Sequence, residues 1–265
     1  MGSKRRTLWL VVGVVLLVGA GVAVLAKPPR TADGITPDNS VAAPALAGSS
    51  AATPLQIVVI GGTKGIGRAV VDLAAERGHT VTAVARRAPE IPFASSSVVF
   101  MQGDVTNAAA VKRVVAGQDA IVTAVAAAPS RKPITVFSTG MTNVLAGLDA
   151  TQSQRLIAVT GIGAGDSRGH GGWLYDEVLW PLLLRTAYED KDREEALIRA
   201  GSTPWTIVRP GFLTNDAATG DYAVVTRIDG VRAGSISRRD VAHFIVGAIE
   251  SGAFVHDTVL LTRSR

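Results

Sequence analysis

The chain has 265 residues, 47% of them hydrophobic, with no cysteine and a formal net charge of +5. That length suits one substantial core plus an appendage, and the missing cysteines exclude disulfides and thiolate metal sites. Five basic side chains, Lys4, Arg5, Arg6, Lys27 and Arg30, precede the predicted domain; without them the charge is nearly balanced, so no field exists to gather a nucleic acid.

The first predicted element is the uncharged run Thr7–Ala26, "TLWLVVGVVLLVGAGVAVLA". As a helix its length is about 30 Å, enough to cross a bilayer's hydrocarbon core. It shows no polar face at helical spacing, so it is not a core helix of a soluble domain. Residues 1–26 are therefore a membrane anchor or signal segment, and two readings stand. One is an uncleaved N-terminal anchor; the other is a cleavable signal with Val24 and Ala26 before the cut. The basic cluster ahead of the run predicts a cytoplasmic N-terminus and an extracytoplasmic, periplasmic-type domain. Export after cleavage, or a domain facing the cytoplasm, are the alternatives. "KRRTLW" also loosely resembles a twin-arginine export signal, departing from it at Lys4 and Leu8. Residues 27–53, rich in Pro, Ala, Ser and Gly, read as a flexible linker.

From residue 54 to 265 the pattern is that of one domain. "LQIVVI" is a β-branched run suited to a strand buried on both faces. Glycines follow, then "RAVVDLAAERG", where Ala69, Val70, Leu73 and Ala74 form a helical stripe ended by Gly78. Strand "TVTAVA", strand "SVVFMQGD", a helix from Asn107, strand "DAIVTAVAA", helix "GMTNVLAGLDA" and strand "RLIAVT" continue the alternation. Such repetition predicts the α/β class: a doubly wound parallel sheet, the Rossmann fold, with ligands at the carboxyl ends of its strands. Toward the C-terminus, "SRRD" offers a capping box from Ser237 to Asp240, before the helix "VAHFIVGAIES" and a last strand, "HDTVLLT".

The glycine loop between the first strand and helix is built for a pyrophosphate. Gly61 permits the turn, while Gly65 and Gly67 let backbone and helix come close, with free N–H groups facing the anion. After the second strand an NAD site wants an acidic residue; here stand Arg86 and Arg87. Paired guanidinium donors fit a 2′-phosphate, so the cofactor is predicted to be NADP(H), with Lys64 as a further cation. Asp104, in "GDVTN", is placed to receive the adenine amino group, to cap the next helix, or both.

"GGTKGIG", "GDVTN", "AIVTAVA", "AVTGIGAGDS" and "PWTIVRPGFLTN", in this order, resemble the short-chain dehydrogenase/reductase superfamily over about residues 55–262. The likeness is nearest to the atypical, NmrA-like branch, which holds NADPH-dependent flavin and biliverdin reductases and NADP-sensing regulators. "DKDREEALIRAGSTPWTIVRPG" is a signature of that branch. The resemblance implies a cofactor site that also uses Thr63, Ile66, Val105, Ala124, Val125 and Thr160. It puts Pro210, Gly211 and Phe212 against the nicotinamide, and Lys191 beside its ribose with Glu195 to orient it. The superfamily's Tyr-x-x-x-Lys pair is missing: Tyr175 is followed four residues on by Leu179 and Tyr222 by Thr226, while Tyr188 and Lys191 are three apart. Tyr188 and Lys191 share a helix face but stand in the wrong register for that pair; both are nevertheless the catalytic candidates, Lys191 because the resemblance implies a lysine there.

The segment "GDSRGHGGWLYDEVLWPLLLRTAYE" is the expected substrate wall, with Trp173, Leu174, Trp180 and Leu183 over a flat or apolar small molecule, and His170 in its loop. Four scattered histidines give no metal-ligand spacing, so no metal is predicted. The oligomeric state is left open. Two functions are carried forward. One is NADPH-dependent reduction, with hydride transfer to a flavin-, quinone- or carbonyl-like acceptor. The other is a membrane-tethered NADP(H)-binding sensor or scaffold without turnover.

Overall fold

The computed structural model describes residues 31–46, 53–148 and 153–263. The predicted leader, residues 1–26, lies outside them; among the described residues no helix is long and apolar enough to cross a membrane.

Eleven strands and five α-helices follow in the described chain: β1 (Ser40–Val41), β2 (Gln56–Ile60), α1 (Gly65–Glu76), β3 (Thr80–Ala85), β4 (Val98–Gln102), α2 (Ala108–Val115), β5 (Ala120–Thr123), α3 (Val136–Gly147), β6 (Arg155–Val159), α4 (Arg185–Ala200), β7 (Trp205–Pro210), β8 (Phe212–Thr214), β9 (Ala223–Val225), β10 (Ser235–Ser237), α5 (Arg238–Ser251) and β11 (Asp257–Thr262). Nine strands form one sheet in the order β1-β9-β11-β7-β6-β5-β2-β3-β4, and β8 pairs with β10 apart from it. From β4 to β11 every pairing is parallel; β9 and β1 add an antiparallel edge.

Residue alternation in β2 shows why both faces are covered. Ile57 and Val59 enter one core with Val70 and Val71 of α1 and Phe244 and Ile245 of α5. Val58 and Ile60 enter the other with Val111 of α2, Met141 of α3 and Ile198 of α4. A strand apolar at every position needs helices above and below. The chain moves outward from β2 through β3 to β4, then returns to β5 on the other side. That reversal opens a crevice at the carboxyl ends of β2 and β5.

Two elements differ from the sequence reading. Residues 31–46, assigned to the flexible linker, form a strap docked on the domain. Asp33 bridges Arg232, Ser40 and Val41 pair with Val225 and Val224, and Ala43 and Leu46 pack on the core. Asn39 holds the bend, accepting from the Thr36 amide at 2.8 Å and donating to Gly34 O at 2.8 Å. Pro44 fills the space that a side chain on Gly247 of α5 would need. Backbone pairing and a few scattered apolar side chains, Ile35, Ala43 and Leu46, bind this segment. The second difference is Tyr175–Leu184, which is a π-helix running into α4 rather than a regular helix. Pro181 lies inside it and supplies no N–H, which suits widened turns.

Candidate cofactor and substrate site

The turn after β2 has the tight backbone geometry that its glycines predict. Gly61 has φ +91°, its amide donates to Val84 O at 2.8 Å, and a Cβ there would overlap the Ala124 carbonyl. A Cβ on Gly67 would overlap the Gly61 carbonyl, so α1 packs against the loop at backbone distance. Lys64 caps α1 in extended conformation without a side-chain bond, leaving the first-turn N–H groups open. Thr63 is half-buried in the turn, and Ile66 sends its side chain into the core, so it offers only its backbone. Lys64 itself forms an exposed ion pair with Glu90 rather than standing free over the cradle. Sequence reasoning missed Arg238. This first residue of α5 donates to Asn215 Oδ1 at 2.8 Å and Thr214 O at 3.1 Å, and its Nε lies 3.8 Å from where a Cβ on Gly65 would stand. Only its place directly after the Ser237 cap hinted at it.

At the end of β3, Arg86 and Arg87 are exposed, and neither side chain forms a hydrogen bond or ion pair among the described residues. Arg68 steadies the following loop through Pro92 O at 3.1 Å and the Phe93 ring at 4.5 Å. Asp104 takes both the amide and the hydroxyl of Thr106 on Oδ1, at 2.9 and 2.8 Å, leaving Oδ2 open. Those two bonds, with the charge of Arg86, hold its carboxyl below the usual range. It does not cap α2; Asn107 does, accepting from Ala110 N at 3.0 Å. Beside Asp104 a small hollow is lined by Ile60, Val84, Gly103, Val105 and Val111.

The other end of the crevice is occupied by side chains that already have partners. Tyr188 is half-buried; the Tyr175 hydroxyl lies 3.1 Å from the Tyr188 hydroxyl and 2.8 Å from Ile162 O, within reach to donate to either. Burial raises the pKa of both phenols. Lys191 is buried with its Nζ 3.3 Å from Val159 O and 4.2 Å above the Phe137 ring. Burial lowers its pKa while Glu194, Glu195 and Asp190 pull the other way. It is not the surface lysine its charged surroundings suggest, and it uses one of its three donors.

Glu195 does not orient Lys191. It accepts from Thr160 Oγ1 at 2.8 Å, from Arg209 at 2.9 and 2.6 Å, and from Arg199 at 2.9 Å. Burial would push this carboxyl up, but the bonds from Arg209 and Thr160 outweigh burial and hold it low. Thr160 therefore turns its hydroxyl away from the crevice. Asp190, fully buried, caps α3 from outside by accepting from Phe137 N at 2.9 Å. Asp192 accepts from Gly165 N at 2.6 Å. The charged run is thus a clamp holding α4 to the ends of β6 and β7.

Ala124 and Val125 follow β5 half-buried, Ala124 N donating to Ile60 O at 2.8 Å. Pro210 and Gly211 are buried, and a side chain on Gly211 would overlap the Gly234 carbonyl. Phe212 is half-buried, edge-on to Tyr175 with centroids 5.3 Å apart. The expected substrate wall divides: Trp180 is buried, donates to Gly163 O at 3.2 Å and lies under Arg168, whereas Trp173 and Leu183 face outward. His170 is fixed by Val231 O at 2.6 Å.

Solved structures share this fold at low identity. An anaerobillin reductase, ChuY, from Escherichia coli O157:H7 superposes with a TM-score of 0.64 at 22% identity, covering 78% of this chain and 97% of its own. A putative NADH-flavin reductase from Streptococcus pneumoniae TIGR4 gives 0.62 at 23%, with 79% and 99% covered. A putative exported protein from Burkholderia pseudomallei gives 0.60 at 22%, with 78% and 99% covered. At these identities the likenesses show a shared fold. Residues 61–252 match the NAD(P)H-binding family, and the chain belongs to it.

Proposed function

We propose that the protein is an NADPH-dependent reductase of the atypical short-chain dehydrogenase/reductase type, acting on a flat or apolar acceptor. The observation that carries the choice of NADPH is the pair Arg86 and Arg87, exposed at the end of β3 and, among the described residues, in no direct ion pair. Two unneutralised guanidiniums suit a 2′-phosphate, whereas the acidic residue that an NAD ribose wants is absent there. The open first turn of α1 and the glycine floor would hold the pyrophosphate, with Arg238 beside it. Asp104 Oδ2 would accept the adenine amino group above the hollow at Val84 and Val105. The two unused donors of Lys191 would meet the ribose next to the nicotinamide.

When bound, NADPH supplies two electrons as a hydride, leaving NADP⁺. The two tyrosines at the reacting end are poor sources of the acceptor's balancing proton: their hydroxyls meet at 3.1 Å, and burial makes both phenols weaker acids. A flavin- or quinone-like acceptor takes that proton from water, so it fits better than a carbonyl. We also propose that residues 7–26 anchor the domain to a membrane, with the N-terminus cytoplasmic.

The same tied-up tyrosines support a second reading, an NADP(H)-binding sensor with no turnover. NADPH oxidation measured with a panel of flavins, quinones and aldehydes separates the two. Oxidation that depends on a flavin or quinone is expected. Tight NADPH binding without acceptor-dependent oxidation would leave only the sensor.

A further inference from the structure

The docked strap fixes where the leader must attach. Ala32 N donates to Arg263 O at 2.9 Å, and Thr31 fills the space beside Gly234. Asp33 and Arg232 exchange backbone bonds at 3.0 and 2.9 Å. On the far side of the 231–234 segment, Ala233 N donates to His170 O at 2.8 Å, and the Arg232 guanidinium lies over Gly172. Gly234 O also receives the amide of Phe212 at 3.0 Å, at the inner end of the crevice. Thr31 thus stands about two strand spacings, ~10 Å, from the loop that leads into Trp173. An extended chain covers about 3.5 Å per residue, so the link from Ala26 to Thr31 reaches at most roughly 18 Å.

That neighbourhood carries an apolar face. Trp173, Leu182 and Leu183 are 73%, 68% and 53% exposed. The exposed positions of this segment are 173, 177, 181, 182 and 183, among which 173, 177 and 182 recur at the four- and five-residue intervals of a helix with widened turns. The loop bearing exposed Arg131 and Lys132 abuts the start of α4, where Thr186 Oγ1 donates to Ser130 O at 2.7 Å. With Arg232 these cations form no ion pair among the described residues, and they outnumber Glu177, the exposed carboxylate of that face. Aromatic and leucine side chains rimmed by cations suit the surface of an anionic bilayer.

We propose that the Trp173–Leu183 face docks on the lipid surface into which the leader inserts, so that the crevice opens toward the membrane and takes its acceptor from the lipid phase. The docking rests on the anchored reading of residues 7–26 and not on turnover; the lipid-phase acceptor rests on the reductase reading as well. The natural chain has no cysteine, so a single introduced thiol is labelled cleanly. The full chain carrying Leu182→Cys, or Lys112→Cys on α2 as control, is labelled with an environment-sensitive dye. Each is reconstituted in vesicles of phosphatidylglycerol and phosphatidylethanolamine with or without shallow spin-labelled lipid, and the mass of its N-terminal peptide is read. With the leader retained, the dye at 182 is expected to lose about half its emission and the dye at 112 almost none, as for a face buried some 5–10 Å into the interface. With the leader retained, equal quenching at both sites, or none at 182, overturns the docking and leaves the anchor standing. An emission shift at 182 that follows protein density without lipid quenching assigns the face to a second copy and overturns it too. A missing leader removes the anchored reading and the docking together. As a second readout, Leu182→Asn with Leu183→Asn should slow reduction of a long-chain quinone in the bilayer about tenfold, leaving a short-chain water-soluble quinone unaffected. Equal slowing of both would overturn the proposal.

Discussion

The two ends of the crevice are made differently. At the β2–β3 end, Arg86, Arg87, the open oxygen of Asp104 and the first-turn amides of α1 have no hydrogen-bond partner among the described residues. At the β6–β7 end, Thr160, Glu195 and Arg209 bond one another, and Tyr188 bonds Tyr175. Groups left open are available for a ligand; groups already bonded cost free energy to redirect. The difference teaches that, on the proposed reading, recognition would be concentrated in the phosphates and adenine, while the reacting end would be shaped by a rigid framework rather than by acids and bases awaiting a substrate.

The most forceful way to break this comparison is Arg209→Met. Removing the guanidinium leaves Glu195 buried with fewer partners, and a loss of about 3–5 kcal/mol in unfolding free energy is expected by denaturant titration. Unchanged stability with weakened NADPH binding would instead make Arg209 a ligand contact. Gly67→Ala pushes α1 off the loop and should cost about 3 kcal/mol, with binding of NADPH and NADH lost alike in calorimetry. Arg86→Ala with Arg87→Ala should weaken NADPH by about 2 kcal/mol, roughly 30-fold, with little change for NADH or for the melting temperature. Equal loss for both cofactors would remove the case for NADPH.

The smallest effect depends on pH. Burial pushes the Glu194 carboxyl up to about 7, against the pull of Lys191, and its Oε2 has no hydrogen-bond partner among the described residues. A carboxyl whose folded pKa is raised favours the fold while protonated. That contribution is fully present below the unfolded value near 4.5 and falls away as pH rises toward 7. Glu194→Gln should therefore match the parent at pH 4 and exceed its stability by about 1–2 kcal/mol at pH 8. A constant difference across that range would rule out titration of this group.

The parallel sheet and its cradle were legible because β-branched runs and glycine spacing are local signals. β3 covers the stretch "TVTAVA", and Ser237 caps α5 by accepting from Asp240 N at 2.9 Å, as its spacing predicts. The run from Asp190 to Glu195 was not legible. Its meaning depends on partners far along the chain: Phe137 for Asp190, Gly165 for Asp192, and Thr160 and Arg209 for Glu195. A sequence shows charges in a row but not which backbone amides or guanidiniums the fold brings to them. The strap was missed for a related reason: a segment held by main-chain bonds and by a few unevenly spaced side chains, Ile35, Ala43, Pro44 and Leu46, leaves no periodic apolar trace.

The strap also redraws the boundary of the folded unit. A shortened chain that begins at residue 47 would strip the outer partner from β9 and uncover the groove under Pro44, leaving a strand edge free to recruit neighbouring molecules. Solubility screens of trimmed versions should keep Thr31 onward; removing the greasy leader alone is then the safer cut.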